Sequence, residues 1–344
     1  MNAILENALR GARISPDEAV SLLKNGDWTE MAQAAHLERM RKLPGNTVGY
    51  TVYRIINYTN VCSVRCSFCS FCRGEGDKSA FTMPLDEIRA KALDAKAKGA
   101  DQIFLQGGVN PTIPLSYYEN ALRLITNELK MTVRGFSPVE LVRMSGTFKM
   151  PLPELLRRLK DAGLSSVPGA GAEILTDRMR NALSPRKLSA DEWINAMREC
   201  HRAGLPGSAN IVFGSTETPE DIAEHLERVR ALQDETHGFK SFVAWTFQPQ
   251  TKNFTVRHVT APEYLKVLAL CRLYLDNVPH IEVSVLGMGK VLGELGLRSG
   301  ADDINSPVLE ENVLVSHGFS TIAEAEAFLR GAGFTPRRRS LNFD

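Results

Sequence analysis

Tyr53-Arg-Ile-Ile-Asn-Tyr58-Thr-Asn-Val-Cys62-Ser-Val-Arg-Cys66-Ser-Phe-Cys69 is a strand-like run that ends directly in three cysteines. Its first six residues are rich in aromatic and β-branched side chains, the composition of a half-buried strand. The cysteines follow at spacings of four and three, so three thiolates on one loop can converge on a single cubane cluster. Three ligands leave one iron without a protein ligand. An open coordination position suits a catalytic centre, whereas a structural site normally closes it. The competing readings are a zinc site completed by Cys72 or a distant His, and plain buried thiols.

Downstream of this loop, strand and helix signals alternate. Further strands are expected at Gln102–Leu105, Thr132–Phe136, Ser165–Val167, Ser208–Phe213, Ser241–Trp245 and His280–Val285. Amphipathic helices are expected between them at Leu85–Lys98, Ser116–Lys130, Leu152–Ala162, Ala190–Ala203, Pro219–Glu235 and Pro262–Asn277. Gly99, Gly163 and Gly204 stand just past helix ends, where a left-handed cap suits glycine. Seven or eight such units predict an α/β fold, a (β/α)8-type TIM barrel, complete or nearly so. Chemistry in such a barrel sits at the C-terminal ends of the strands, which is where the cysteines lie.

Ahead of the barrel, Ser15-Pro16-Asp17-Glu18 is a capping box opening a helix, and a second helical pattern covers about Trp28 to Arg41. The expected division is an N-terminal helical extension over 1–46, the barrel over 47–318, and a C-terminal helix and tail over 319–344. The chain has 344 residues, 41 basic and 40 acidic, which points away from nucleic-acid and membrane-surface partners. No signal-peptide pattern and no membrane-length apolar stretch is evident, so a soluble, cytoplasmic protein is expected. Arg337-Arg338-Arg339 is read as a solvated tail. Cys200 and Cys271, on helical stretches, read as small buried residues, and Cys72 as a free thiol near the cluster.

The C-x3-C-x2-C loop, with an aromatic before its last Cys, resembles the radical S-adenosylmethionine (SAM) superfamily. Asn57–Cys62, Gln106-Gly107-Gly108-Val109-Asn110-Pro111, Phe136-Ser137-Pro138 and Gly171–Leu175 resemble one subgroup. It holds the two radical enzymes of the futalosine route to menaquinone and the deazaflavin (FO) synthase halves. Leu232–Thr236, Trp245–Pro249, Tyr274–Asn277 and Glu310–Val313 resemble the cyclic dehypoxanthinyl futalosine synthases in particular. The resemblance implies a [4Fe–4S] cluster on Cys62, Cys66 and Cys69 that binds SAM and yields a 5′-deoxyadenosyl radical. It further implies hydrogen removal from a ribose C4′ and attack of the carbon radical on a benzoate ring to give a spirocycle. A small-molecule substrate and an electron donor such as flavodoxin or ferredoxin are the implied partners. The alternatives are an aminofutalosine synthase or FO synthase-like paralogue with another substrate and, in a different class, a non-catalytic zinc-binding barrel.

Several residues are candidates for the cofactor. Gly107 and Gly108 would let its methionine end approach the backbone, or simply form a turn; a side chain at Gly108 is expected to weaken cofactor binding and spare the cluster. Glu173 would hold ribose hydroxyls, or belong to the start of the next helix. Arg198 would pair with the methionine carboxylate, or be an ordinary surface arginine. Phe68 and Phe71 would shield the cluster or line the cofactor. Arg134 and Lys290 are candidate cations for the benzoate. The sequence departs from the subgroup pattern at Arg134, Cys72, Ser215 and Leu286–Met288, all expected at the active-site end, which places substrate identity in question.

Overall fold

The computed structural model describes all residues except 249–253, 255, 311–317, 320, 341, 342 and 344. The strands are β1 (Thr47–Tyr50), β2 (Tyr53–Asn57), β3 (Gln102–Gln106), β4 (Thr132–Gly135), β5 (Leu164–Ser166), β6 (Gly207–Phe213), β7 (Phe239–Thr246), β8 (His280–Val283) and β9 (Thr335–Arg338). All seven expected strands are present as β2 to β8. They pair in parallel in the orders β2-β3-β4-β5 and β6-β7-β8. A Val167–Gly207 bridge joins β5 to β6.

The ring closes through a stave without strand character. Asp303 bridges Glu282 of β8, and Val308 bridges Tyr53 of β2. Val283 N donates to Asp303 O at 2.8 Å, and Leu309 N donates to Tyr53 O at 2.9 Å. Segment 302–309 is therefore the eighth position of the barrel. Because side chains alternate along a strand, Tyr53, Ile55 and Asn57 share the inner face of β2 with Gln102, Phe104 and Gln106 of β3.

The outer helices match the expected ones to within one residue at each end, except that Leu115–Arg123 ends in a π-helical turn, Leu124–Glu128, and Ala261–Tyr274 stops three residues early. Pro138–Phe148, with Ser137 and Glu140 forming its capping box, and Val285–Leu297 add helices directly after strand ends, and Asp177–Leu183 adds one beyond the loop that follows β5. Helix Pro16–Asn25 packs on Pro219–Thr236, and Trp28–Lys42 on Ala261–Tyr274. The N-terminal extension thus covers the outside of the barrel. No helix among the described residues is long and apolar enough to cross a membrane.

β9 pairs with β1 across the N-terminal end of the barrel. This overturns the solvated-tail reading of the arginine run. Arg338 pairs with Asp101, and Arg339 is buried against Asp303, with Nη2 donating to Oδ1 at 2.9 Å. Arg339 also lies 3.6 Å from the equally buried Glu282.

Candidate active site

The cysteine loop leaves the C-terminal end of β2 and is tied down on three sides. Cys62 N donates to Arg73 O at 3.1 Å and Ser63 N to Val109 O at 2.9 Å. Ser67 Oγ donates to Leu183 O at 2.7 Å, at the end of helix Asp177–Leu183. Burial pushes the Cys69 thiol up from its ordinary range. The Cys72 thiol is pushed up to about 11 by burial and by the neighbouring Cys62 and Cys69. Cys72 Sγ donates to Cys62 O at 3.5 Å, a free thiol bonded to its own loop.

Three cysteine thiols, those of Cys62, Cys66 and Cys69, share this loop, the number of protein ligands that leaves one corner of a cubane open. Cys200 and Cys271 are fully buried in helices away from this loop.

Cys69 opens onto a cavity of about 560 Å³ that fills the barrel interior. Phe68, Ser70, Gly169–Gly171 and Glu173 share its mouth with Cys69. Phe68 packs edge-on to Phe247 at 5.2 Å and to Phe254 at 6.0 Å between ring centroids. Phe71 instead faces Phe81 and is absent from the lining. Asn57, Gln106, Asn210, Trp245 and Leu286 line the middle, and Tyr53, Gln102, Phe104, Arg134 and Ser208 the lower part.

Glu173 is neither a helix cap nor a first-turn residue, because the next helix begins at Asp177 with Thr176 as its cap. Its backbone is held at φ +42°, and Val212 N donates to its carbonyl at 3.0 Å. Lys187 Nζ donates to both carboxylate oxygens, at 2.9 and 2.8 Å, and Arg180 lies at 3.4 Å. Arg180 also donates to the carbonyls of Gly171 and Ala172, so it fixes the loop that presents Glu173. A carboxylate has about four acceptor positions, which leaves room for ligand hydroxyls.

Other expected site residues fall elsewhere. Arg198 is bound to Glu235 on the neighbouring outer helix, with Nε at 2.8 Å from each oxygen, and does not reach the cavity. Its assignment to the methionine carboxylate is therefore corrected; a mid-helix position on the outer ring faces a neighbouring helix. Lys290 is half-exposed, 3.7 Å from Glu324, and also lies outside the cavity. The Gly107–Gly108 amides are already used, Gly107 N donating to Glu140 Oε1 at 3.1 Å and Gly108 N to Thr59 O at 2.8 Å. A Cβ at Gly108 would lie 2.2 Å from Val61 O and 3.0 Å from Cys62 Cβ. Gly108 therefore lets the cysteine loop pack against β3, and the expectation that a side chain there would spare the cluster is reversed.

Of the departures from the subgroup pattern, Arg134 and Leu286 line the cavity, while Ser215 and Met288 do not. Ser215 belongs to a helix entrance, where its amide donates to Glu217 at 2.8 Å. Pro249 and residues 311–313, in the segments resembling the cyclases, lie outside the described residues. Lys187 and Arg180 carried no local sequence signal; folding alone brings them to Glu173.

Comparison with known proteins agrees with this geometry. The family model of the radical SAM superfamily matches residues 56–229, and that of the CofH/MqnC C-terminal region matches residues 236–344. The chain is 36% identical to the cyclic dehypoxanthine futalosine synthase of Halalkalibacterium halodurans, over 100% of this chain and 94% of that one. It is 33% identical to the aminodeoxyfutalosine synthase of Thermus thermophilus, over 92% of this chain and 87% of that one. Among solved structures, methylornithine synthase (PylB) superposes with a TM-score of 0.76 at 18% identity, covering 98% of each chain, which is a likeness of fold. Cys69, which opens onto the cavity, and Cys62 and Cys66 on the same loop fit the [4Fe–4S] cluster and SAM used by this superfamily. The chain belongs to the radical SAM superfamily and is an enzyme of its branch with a CofH/MqnC C-terminal region.

Proposed function

We propose that the protein cyclises dehypoxanthinyl futalosine to its spirocyclic form. The observation that carries this reading is the shared wall between cluster loop and cavity: Cys69 opens directly into about 560 Å³ of barrel interior. That volume lies within the usual range for small-molecule sites. Trp245, Thr246, Phe247 and Gln248, from the segment that resembles the cyclases, form part of the same wall. The full-length likeness to two cyclic dehypoxanthine futalosine synthases supports the same assignment.

The cluster, when bound, supplies the electron that cleaves SAM to a 5′-deoxyadenosyl radical. The chain's own residues orient and enclose. Cys62, Cys66 and Cys69 would hold the cluster, and Glu173, held by Lys187 and Arg180, would accept from the cofactor's ribose hydroxyls. Gly107 and Gly108, at the end of β3 beside the cluster loop, would offer their carbonyls to the methionine ammonium. Phe68, Phe247 and Phe254 keep water from the reacting atoms, so that the radical meets only its target. An electron donor such as flavodoxin or ferredoxin acts with the enzyme in the cytoplasm.

A paralogue with another substrate is the second reading. Arg134 and Leu286, which depart from the subgroup pattern, both line the cavity and support it. The test is anaerobic incubation of the reconstituted enzyme with SAM, a reductant and a panel of futalosine-type substrates, with products identified by mass. The spirocycle as the main product is expected. Turnover of another panel member with no spirocycle would transfer the assignment to the second reading.

A further inference from the structure

We infer that the lower part of the barrel cavity is a subsite for an aryl carboxylate, gripped by Arg134. This deepens the proposed function, whose substrate carries a benzoate, and rests on that reading for the identity of the whole ligand. The grip itself is argued from the barrel.

Arg134 stands on the inner face of β4, in register with Phe104 of β3 and Ser166 of β5. Its Nη2 donates to Ser208 Oγ. Its Nε is buried without a partner, and the side chain makes no ion pair among the described residues. A guanidinium has five N–H donors in a planar fork, and one is used here.

The surrounding charges do not complete it. Glu282, on the inner face of β8, attracts Arg134 but makes no direct contact with it, and lies 3.6 Å from Arg339. Arg339 is bound in turn to Asp303. Two arginines thus face two acids, yet the hydrogen-bonded ion pairing is spent between Arg339 and Asp303. Glu282, its two oxygens also buried without hydrogen-bond partners, balances the charge of Arg134, but the donors of the guanidinium fork stay unmet until a ligand acceptor reaches them.

The neighbours define what that anion is attached to. Arg134 lies 5.7 Å from the centre of the Phe104 ring. Tyr53, Ile55, Leu286 and Val308 form a small buried apolar cluster, packed by Phe104 and Trp245. A flat apolar group fits against this wall. Ser208 Oγ accepts from both Arg134 and Gly169 N, the latter at 3.2 Å, which leaves its own proton to donate. A planar two-oxygen anion matches the guanidinium fork and the serine proton together. Phosphate groups favour backbone amides at helix N-termini, whereas the donors offered here are a guanidinium and a serine hydroxyl.

The orientation follows. The carboxylate lies in the lower barrel and the rest of the ligand extends toward Cys69 and Glu173 at the mouth. A substrate enters acid end first, and its other end is the one presented to the radical.

Calorimetric titration of the anaerobically reconstituted holoenzyme with benzoate and with benzamide tests this. Benzoate is expected to bind at least about tenfold more tightly, about 1.4 kcal/mol. Arg134→Gln is expected to bring the two within twofold, and Arg134→Lys to keep an intermediate preference, because a lysine supplies charge without the fork. Iron content and circular dichroism establish that each variant is folded. A preference below twofold in the unaltered enzyme, which needs no variant, would overturn the inference, as would full preference in Arg134→Gln. If the spirocycle does not form but the preference holds, the proposed function falls and the subsite stands.

Discussion

Gly108→Ala should strip the cluster, although the residue is no metal ligand. The added Cβ would stand 2.2 Å from Val61 O, 2.8 Å from Val61 C and 3.0 Å from Cys62 Cβ. Real Cβ atoms essentially never approach closer than 3.0 Å, so the backbone at Val61 must retreat by about 0.8 Å. The obstruction is main chain, one residue before the first ligand, and cannot be relieved by a rotamer change. Metal–ligand distances hold to within about 0.2 Å, so a shift of this size takes Cys62 out of reach. Overpacking of this kind also costs about 1–3 kcal/mol of stability. The assay is iron and sulfide per chain after anaerobic reconstitution, alongside the thermal midpoint. Gly146→Ala, where nothing lies within 4 Å, is the control and should keep the full cluster. Expected for Gly108→Ala is less than a third of the control's iron and a lower midpoint. Full iron and sulfide with unchanged SAM affinity would show that the loop does not depend on this close approach.

Other substitutions and pH separate the remaining claims. Serine at Cys62, Cys66 or Cys69 should abolish the cluster and SAM cleavage, measured by iron content and 5′-deoxyadenosine release. Serine at Cys72, Cys200 or Cys271 should leave both, and loss at Cys72→Ser equal to that at Cys66→Ser would contradict a three-ligand site. Arg339→Met should destabilise the fold by about 3–5 kcal/mol in urea unfolding, because Asp303 and Glu282 are left as uncompensated buried acids. Stability should fall as pH drops from about 6.5 toward 4. Burial holds His201 down to about 4 and His225 to about 3, and Leu175 N donates to His225 Nδ1, so native imidazoles stay neutral while unfolded ones take up protons. Each contributes a slope approaching about 1.4 kcal/mol per pH unit. Urea midpoints unchanged between pH 7 and pH 5 would contradict this.

The sequence reading succeeded where local pattern and tertiary role coincide. Strand composition followed at once by three cysteines defines β2 and its loop, and helix periodicity with glycine stops marks the outer ring. It stopped at features made by distant contacts. Segment 302–309, the eighth stave, reads Asp-Asp-Ile-Asn-Ser-Pro-Val-Leu, the vocabulary of turns, and joins the barrel through isolated bridges. Arg339 looked like a solvated tail because nothing nearby in sequence shows that β9 pairs with β1 and carries it to Asp303. Arg198 and Lys290 had suitable chemistry on surfaces that face away from the cavity, whereas Lys187, with no signal of its own, meets Glu173 at 2.8 Å. Ser137-Pro138-Val139-Glu140 did carry a helix-start signature. Its reading as a strand end obscured the helix that follows.

The central claim is that a radical generated at the Cys62–Cys66–Cys69 loop reaches a ribose held in the barrel cavity. Dehypoxanthinyl futalosine deuterated at C4′, incubated anaerobically with SAM, a reductant and the reconstituted enzyme, tests it most directly. The account predicts deuterium in the released 5′-deoxyadenosine together with the spirocyclic product. Release of 5′-deoxyadenosine without deuterium would show SAM cleavage uncoupled from this substrate and would contradict the cyclase assignment.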